Sequence, residues 1–317
     1  MTACQICANS ENNRAHSVRE MMFGLREIFP YVECGQCGCL QLLQIPADMS
    51  RYYPRDYYSF QTHGALKTFV RHQWSSYAYH GRNLVGKLVS RFFVPNGSMQ
   101  AIRRSGISRQ AKVLDVGCGS GRLLLDLAYL GFTDLSGADP FISADIIHPE
   151  GPRVYKRQLA EMTGTFDLIM LHHSFEHMSE PARVMAEIDR LLRPGGELIV
   201  RIPVASSHAW RTYGVDWVNL DAPRHFFLHT FKSMEILASR AGWRTGSIVH
   251  EGNDEQFWMS EQYARDIPSQ DPRSLSSSPW KRLLAWNKIR RWQKMAADVN
   301  RRQEADLVCF HFHKNKA

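Results

Sequence analysis

The chain has 317 residues, 44% of them apolar and 22% charged, a composition that describes a folded globular protein and excludes a disordered one. Its formal net charge of +8 would suit nucleic acid, anionic lipid or a phosphorylated molecule as a partner. No run approaches the roughly 20 apolar residues of a membrane span, and the opening MTACQICANS lacks a basic stretch followed by an apolar one, so the expected compartment is cytoplasmic.

Cys4-Gln-Ile-Cys7 and Cys34-Gly-Gln-Cys37 are two C-x-x-C units separated by 26 residues. In such a compartment cysteines are thiols or metal ligands rather than disulfides. Each unit can form a knuckle presenting two thiolates, and two knuckles complete the tetrahedron that zinc prefers in a closed structural site. A segment of about 45 residues buries little core, so ligation would supply the folding free energy that burial does not. Residues 1–48 are therefore expected to form a zinc-ribbon module held by Cys4, Cys7, Cys34 and Cys37. Cys39 and His16 are spare ligands, and redox use of one C-x-x-C is the alternative.

Residues 49–110 read as a helical cap and linker. Tyr52, Tyr53, Tyr57 and Tyr58 either pack the ribbon against the rest of the chain or line a substrate site. Phe69, Val70, Trp74, Tyr77, Leu84 and Leu88, continuing to Phe92, have helical spacing, and Pro95-Asn96-Gly97 ends that stretch.

Lys112 to Arg122, KVLDVGCGSGR, is a short apolar run ending in an acid and three alternating glycines. Val113, Leu114 and Val116 suit a buried parallel strand; Gly117, Gly119 and Gly121 suit a tight turn into a helix, where a ligand can lie against bare main chain. The spacing is G-x-G-x-G behind Asp115, one residue short of the dinucleotide fingerprint, which argues against NAD. Leu123–Leu130 then reads as a helix, Leu135–Asp139 as a second strand, Arg153–Lys156 as a weakly marked third and Phe166–Leu171 as a fourth. Pro181–Leu192 is helical, R193-PGG a turn, and Glu197–Ile202 a fifth strand. Thr230 caps a helix that Gly242 ends; Trp243–His250 and Ala305–Lys314 read as the last strands, the final one antiparallel.

These motifs, in this order, resemble class I S-adenosylmethionine-dependent methyltransferases. The run from Asp115 to Gly121 is similar to their first motif, Asp139 follows 18 residues after Gly121, and FDLIMLHHSFEHM and LLRPGGELIVRIP resemble their fourth and fifth strands. The resemblance implies an α/β fold for residues 111–317, a doubly wound, mostly parallel seven-stranded sheet, with S-adenosylmethionine at the carboxyl ends of the strands. It implies that Asp139 accepts the ribose hydroxyls, that Asp115 and the glycine backbone face the methionine end, and that Pro140, Phe141, Gln158 and Leu159 lie near the adenine, with His172 at the strand exit. The ribbon, the P…YY…YY run and the stretch from Trp217 to His225 are similar to bacterial methyltransferases that carry an N-terminal zinc module and modify sugars or other small metabolites.

HHSFEHM places three histidines and a glutamate in seven residues. A catalytic metal is one reading. Methyl transfer from a sulfonium is a direct displacement, however, so a positioned base suffices, and His177 is the expected base with Glu176 orienting it. The long segment from Pro203 to Thr230 supplies His225 as a second candidate acid or base, Arg224 as an anion contact, and Trp210, Tyr213 and Trp217 to stack on a substrate or to fill a lid. A basic helical insertion occupies about 260–304; KRLLAWNKIRRWQKMAADVNRR is either a solvated face or a surface for phosphate or peripheral membrane contact. The expected activity is methylation of a small-molecule hydroxyl, on a sugar, nucleotide sugar or glycan. An RNA methyltransferase is the alternative enzyme, though no N-P-P-[YF] follows the fourth strand, and an inactive binding protein of the same fold is the alternative of another class.

Overall fold

The computed structural model describes residues 2–53, 65–90 and 97–316. The N-terminal part forms three short antiparallel strands, Arg14–Arg19 (β1), Ile28–Glu33 (β2) and Leu40–Leu42 (β3). The C-x-x-C units precede β1 and join β2 to β3. Each is a tight turn: Ala8 N–H donates to the Cys4 carbonyl at 2.8 Å, and Gly38 N–H to the Cys34 carbonyl at 2.9 Å, with Gly38 at φ +71°. Tyr57, Tyr58, Phe92, Pro95 and Asn96, each part of a sequence expectation, lie outside the described residues.

Ala65–His80 (α1), Leu84–Val89 (α2) and Gly97–Ser105 (α3) follow. Gly97 thus opens a helix where the sequence suggested an ending, because Met99 and Ile102, three residues apart on one helix face, have a buried place against the sheet. The sheet then begins with Lys112–Val116 (β4), and Arg122–Tyr129 (α4) returns to Asp134–Ala138 (β5). Ile146–Ile147 (β6), Arg153–Tyr155 (β7) and Phe166–His172 (β8) come next. Pro181–Leu191 (α5) leads to Leu192–Pro203 (β9), into which the R193-PGG residues are drawn as the start of the strand. Beyond lie His208–Tyr213 (α6), Phe227–Leu228 (β10), Phe231–Arg240 (α7), Arg244–His250 (β11), Glu255–Ala264 (α8), Pro279–Leu284 (α9), Trp286–Arg301 (α10) and Leu307–His313 (β12).

The large sheet has the order β11-β12-β9-β8-β4-β5-β7-β6. β9, β8, β4, β5 and β7 are parallel, and β12 is antiparallel between β9 and β11. This is the expected seven-stranded, mostly parallel sheet, with the two-residue β6 added as an antiparallel edge. Alternation along each strand builds both faces. Leu114, Ile169, Leu171, Leu198 and Val200 join one apolar cluster with α5 and α7, while Val113, Leu168, Met170 and Ile199 join another with α3 and α4. α1 lies on α4, where Ser75 Oγ donates to Asp126 Oδ2 at 3.1 Å and Tyr79 meets Phe132 edge-on.

The N-terminal sheet is stitched to the large one. β10, inside the long segment after β9, pairs antiparallel with β3 and gives the order β1-β2-β3-β10. α7 holds the knuckles: Thr230 Oγ1 donates to the Cys37 carbonyl at 2.6 Å and Arg240 Nη1 to the Ile6 carbonyl at 2.6 Å. Cys4, Cys34 and Cys37 pack in the same apolar cluster as α7 and the strands.

In the basic insertion, Ile289, Trp292, Ala296 and Val299 of α10 pack on Phe257 and Trp258 of α8, leaving Lys288, Arg290, Arg291 and Lys294 outside. Trp280, Leu283, Leu284 and Trp286 are exposed apolar side chains beside them. Among the described residues no helix is long and apolar enough to cross a membrane.

Candidate active site

The turn after β4 is formed as its glycines require. Gly117, Gly119 and Gly121 all have positive φ, at +74°, +55° and +78°. A Cβ on Gly117 would stand 2.5 Å from the Ser174 Cβ, and one on Gly121 2.6 Å from Val154 Cγ2. Ser174, just past β8, also donates its hydroxyl to the Val116 carbonyl at 2.8 Å. The exit of β8 is therefore clamped directly onto the glycine turn.

Two buried acids stand at the ends of the central strands. Asp139, just beyond β5, accepts from Gly119 N–H at 2.8 Å and Phe141 N–H at 2.9 Å, one bond to each oxygen, leaving further lone pairs for hydroxyl donors. Asp115 is 3% exposed; burial, and then the charge of Asp139, push its carboxyl up to about 8. A buried acid this poorly compensated, beside a second with lone pairs to spare, favours a cationic, hydroxyl-bearing ligand, and the acceptor set fits the ammonium, sulfonium and ribose of S-adenosylmethionine. Pro140 and Phe141 are exposed on the loop that Asp139 anchors. Gln158 is exposed at the start of the short 3-10 turn Leu159–Glu161, and Leu159 is half-buried against the core. His172 ends β8 with Nδ1 3.3 Å from the Ser98 hydroxyl of α3, and burial holds its imidazolium form well out of reach.

The second group of polar residues joins the exit of β8 to the long segment after β9. Glu176 is fully buried, and its carbonyl accepts from Phe226 N–H at 2.8 Å. Around its carboxylate stand His173 (Nδ1, 3.6 Å) and His225 (Nε2, 4.0 Å), with His177 packed on His225 at 4.8 Å between ring centroids. Burial alone would raise the Glu176 carboxyl, but these three histidines hold it at about 2, so it is an anion at neutral pH. Burial, and then His225, lower the His177 imidazole, leaving it neutral and able to accept a proton or a ligand. The structure thus brings His177, His225 and Glu176 together from segments nearly 50 residues apart.

Other residues in this cluster were not assigned to it from sequence. Tyr53 reaches His177 Nδ1 at 3.2 Å, whereas Tyr52 turns away to hydrogen-bond Glu27, so the two described tyrosines of the run divide between the site and packing. Arg224 corrects the expectation of an anion contact. It is 0% exposed, paired with Asp221 at 2.5 Å and with the buried Glu20 at 3.2 Å, and stacked on Phe23. Trp217 is equally buried and donates Nε1–H to Asp306 at 3.0 Å, so it fills core rather than meeting a substrate. Glu20 carried no signal in the sequence, since it lies 204 residues from its partner Arg224 along the chain.

The four cysteines form a third cluster. Cys4 and Cys37 Sγ are 3.6 Å apart, Cys7 and Cys34 Sγ 3.4 Å, and all four sulfurs lie within 4.8 Å of one another. Disulfides would require about 2.05 Å, whereas a tetrahedral cation with 2.3 Å bonds to sulfur sets sulfurs about 3.8 Å apart. Backbone N–H groups of Ile6, Gln36 and Cys37 point at the Cys4 and Cys34 sulfurs, each at 3.4 Å. Cys39 stands outside the cluster, directed at the Leu40 carbonyl and His229, and His16 pairs with Glu33 instead.

Comparison with known proteins follows these lines. A family model described as a methyltransferase domain matches residues 77–248, more than half of the chain. A ubiquinone biosynthesis O-methyltransferase of Xanthomonas oryzae pv. oryzae is 32% identical over 147 residues, covering 42% of this chain and 60% of that protein. The protein of the same name from Sodalis glossinidius is 31% identical over 164 residues, covering 47% and 64%. The chain thus spans about three fifths of the length of these curated relatives. Among solved structures, an S-adenosylmethionine-dependent methyltransferase of Thermotoga maritima, titled a possible histamine N-methyltransferase, aligns over 68% of this chain and 86% of its own at 16% identity and a TM-score of 0.42. With the glycine turn, the paired acids and the sheet order in place, the family match settles the classification: this chain belongs to the methyltransferase-domain family.

Proposed function

We propose that the protein transfers the methyl group of S-adenosylmethionine to a hydroxyl oxygen of a small molecule. The observation that carries this reading is the clamp between Ser174, two residues before Glu176, and the glycine turn. Bound S-adenosylmethionine supplies a methyl on a positive sulfur, ready for displacement. The chain's own residues then have three tasks. Asp139 and the glycine backbone bind and orient; Asp115 answers the positive charge; and an imidazole, His177 or His225, faces the acceptor hydroxyl and takes its proton, its ring held through Nδ1 by the Arg224 or Asn219 carbonyl.

Oxygen as the acceptor atom is supported by the relatives' names, which specify O-methylation. A sugar acceptor, expected from sequence, gains nothing from those names. Four clustered thiols support a structural zinc at Cys4, Cys7, Cys34 and Cys37, and the free state of all seven cysteines supports a cytoplasmic enzyme. For the basic insertion we favour peripheral contact with an anionic bilayer over RNA, because exposed Trp280, Leu284 and Trp286 beside Lys and Arg have the composition of an interfacial surface.

The test is transfer of labelled methyl to a panel of sugars, nucleotide sugars, phenols and RNA, paired with calorimetric affinity for the cofactor. Asp139→Ala removes charged hydrogen bonds and is expected to weaken cofactor binding by about 1.5 to 3 kcal/mol. Unchanged affinity would sink the cofactor assignment.

A further inference from the structure

The cluster at the exit of β8 has a feature that a simple histidine base does not require. Glu176 is 0% exposed, and neither carboxylate oxygen has a hydrogen-bond partner among the described residues. Its nearest ring nitrogens, His173 Nδ1 and His225 Nε2, stand at 3.6 and 4.0 Å, beyond hydrogen-bond reach. A buried carboxylate is normally satisfied by donors or by a cation.

The two histidines are set as acceptors as well. His177 Nδ1 lies 2.8 Å from the Arg224 carbonyl and His225 Nδ1 2.7 Å from the Asn219 carbonyl. A carbonyl only accepts, so each Nδ1 carries a proton, and in the neutral ring Nε2 is the nitrogen with a lone pair to offer. This is the second-sphere arrangement that fixes a metal-binding imidazole, with the outer nitrogen hydrogen-bonded to backbone. One ring nitrogen of each histidine and one Glu176 oxygen lie within 4.8 Å of one another. A cation with bonds of about 2.0 to 2.2 Å spans ligand atoms about 3 to 4 Å apart. The cluster therefore gathers one carboxylate and two imidazoles around one gap, and among the described residues no hydrogen bond satisfies the carboxylate. The scaffold holding it is rigid: Phe226 N–H is bonded to the Glu176 carbonyl, and the Tyr31 hydroxyl donates to the His225 carbonyl at 2.7 Å.

We propose that Glu176, His177 and His225 bind one divalent first-row metal ion, of the class Mn2+, Fe2+ or Co2+, as a two-histidine, one-carboxylate site with open coordination positions. Two imidazoles and a single carboxylate suit these ions better than Mg2+ or Ca2+, which prefer all-oxygen sets. The role of the ion rests on the methyl-transfer reading above, and it reassigns the two imidazoles from base to ligand. The acceptor hydroxyl occupies an open position, where the ion lowers its pKa. Its proton leaves to solvent, the oxygen lone pair forms the new O–C bond, and the C–S bond breaks with its electron pair returning to sulfur as a neutral thioether.

Mn2+ is the probe, because soft thiolates leave it alone and the four-cysteine cluster does not compete. Free Mn2+ is counted by electron paramagnetic resonance during titration of the full chain with zinc retained. One Mn2+ per chain is expected, with affinity falling at least tenfold in Glu176→Gln and in His225→Ala. Asp115→Asn, which changes a buried acid at the glycine turn instead, should keep the ion. No binding at millimolar Mn2+, or unchanged binding in Glu176→Gln of native circular dichroism, overturns the site. If Glu176→Gln does not fold, the wild-type titration and His225→Ala decide alone. Methyl transfer is then assayed after chelation and after Mn2+ return. Full activity in chelated protein overturns the catalytic role, whereas Mn2+ binding without methyl transfer to any acceptor supports the site and refutes the methyl-transfer reading on which its role rests.

Discussion

Asp115 is the residue whose behaviour the structure constrains most tightly. Its carboxyl, pushed up to about 8 by burial and by Asp139, is about nine-tenths protonated at pH 7 before any ligand arrives. A cationic ligand favours the carboxylate, so binding should expel about 0.9 proton per chain at pH 7. Ionising the group at that pH costs about 1.4 kcal/mol, and cofactor affinity should therefore rise about tenfold per unit below pH 8 and flatten above it. The same group affects the stability of the ligand-free protein. Its folded pKa is raised above the unfolded value of 3.8, so the unfolded state releases a proton that the folded state keeps, and stability declines as pH climbs from about 4 to about 8. At pH 7 the penalty has an upper bound of about 4 kcal/mol, from 3.2 units at 1.36 kcal/mol each. Asp115→Asn should thus weaken cofactor binding, abolish its pH slope, and raise the melting temperature of the ligand-free protein. Calorimetry in two buffers of different ionisation enthalpy counts the protons, and scanning calorimetry reads the stability. Binding at pH 7 without proton release, or an Asn variant that keeps the slope, would refute the reasoning.

Three further outcomes are expected. Protein prepared without chelator should carry one zinc in the four-cysteine cluster, and Cys34→Ser should lower the melting temperature of the whole chain rather than of a detached ribbon, because Cys34 packs in the same cluster as α7 and the strands; metal analysis and a single calorimetric transition check both. Arg224→Met should destabilise by about 3 to 5 kcal/mol in denaturant unfolding, since it leaves Glu20 buried without its cation, and adding Glu20→Gln should recover part of that loss. Trp280→Ala with Leu284→Ala should weaken sedimentation with vesicles rich in anionic lipid, and equal pelleting of variant and wild type would remove the bilayer proposal.

The central strands were legible because each is a short, mostly apolar run with a turn signal at its end. Val113, Leu114 and Ile169 to Leu171 show this well, and burial on both faces of a parallel sheet demands it. The two knuckles and the glycine turn were equally plain, since each needs particular residue types at fixed spacing. α3 was hidden behind a Pro-Asn-Gly stop signal, and a nine-residue amphipathic helix after such a signal reads as linker. β10 is two residues long, too short for any periodicity, yet it decides where the long segment goes. Trp217 and Arg224 look like ligand contacts in sequence because both side chains carry polar tips. Only the fold shows that Asp306, Asp221 and Glu20 consume those tips in the interior.

The same contacts tie the N-terminal segment to the cluster of His177 and His225. Glu20 anchors Arg224, the Tyr31 hydroxyl holds the His225 carbonyl, and Tyr53 reaches the His177 ring. On the other side, the Cys37 carbonyl is bound by Thr230, five residues beyond His225 and two beyond the end of β10. The stretch from Asp221 to Thr230 is therefore held at both ends by residues that precede the methyltransferase sheet in the chain. Neither end has enough local structure to fix a histidine within the fraction of an ångström that proton transfer or ligation needs. Supplying that rigidity falls to β1, β2, β3 and the knuckles, so perturbing the cysteine cluster should disturb His225 before it disturbs the glycine turn, which is clamped separately through Ser174.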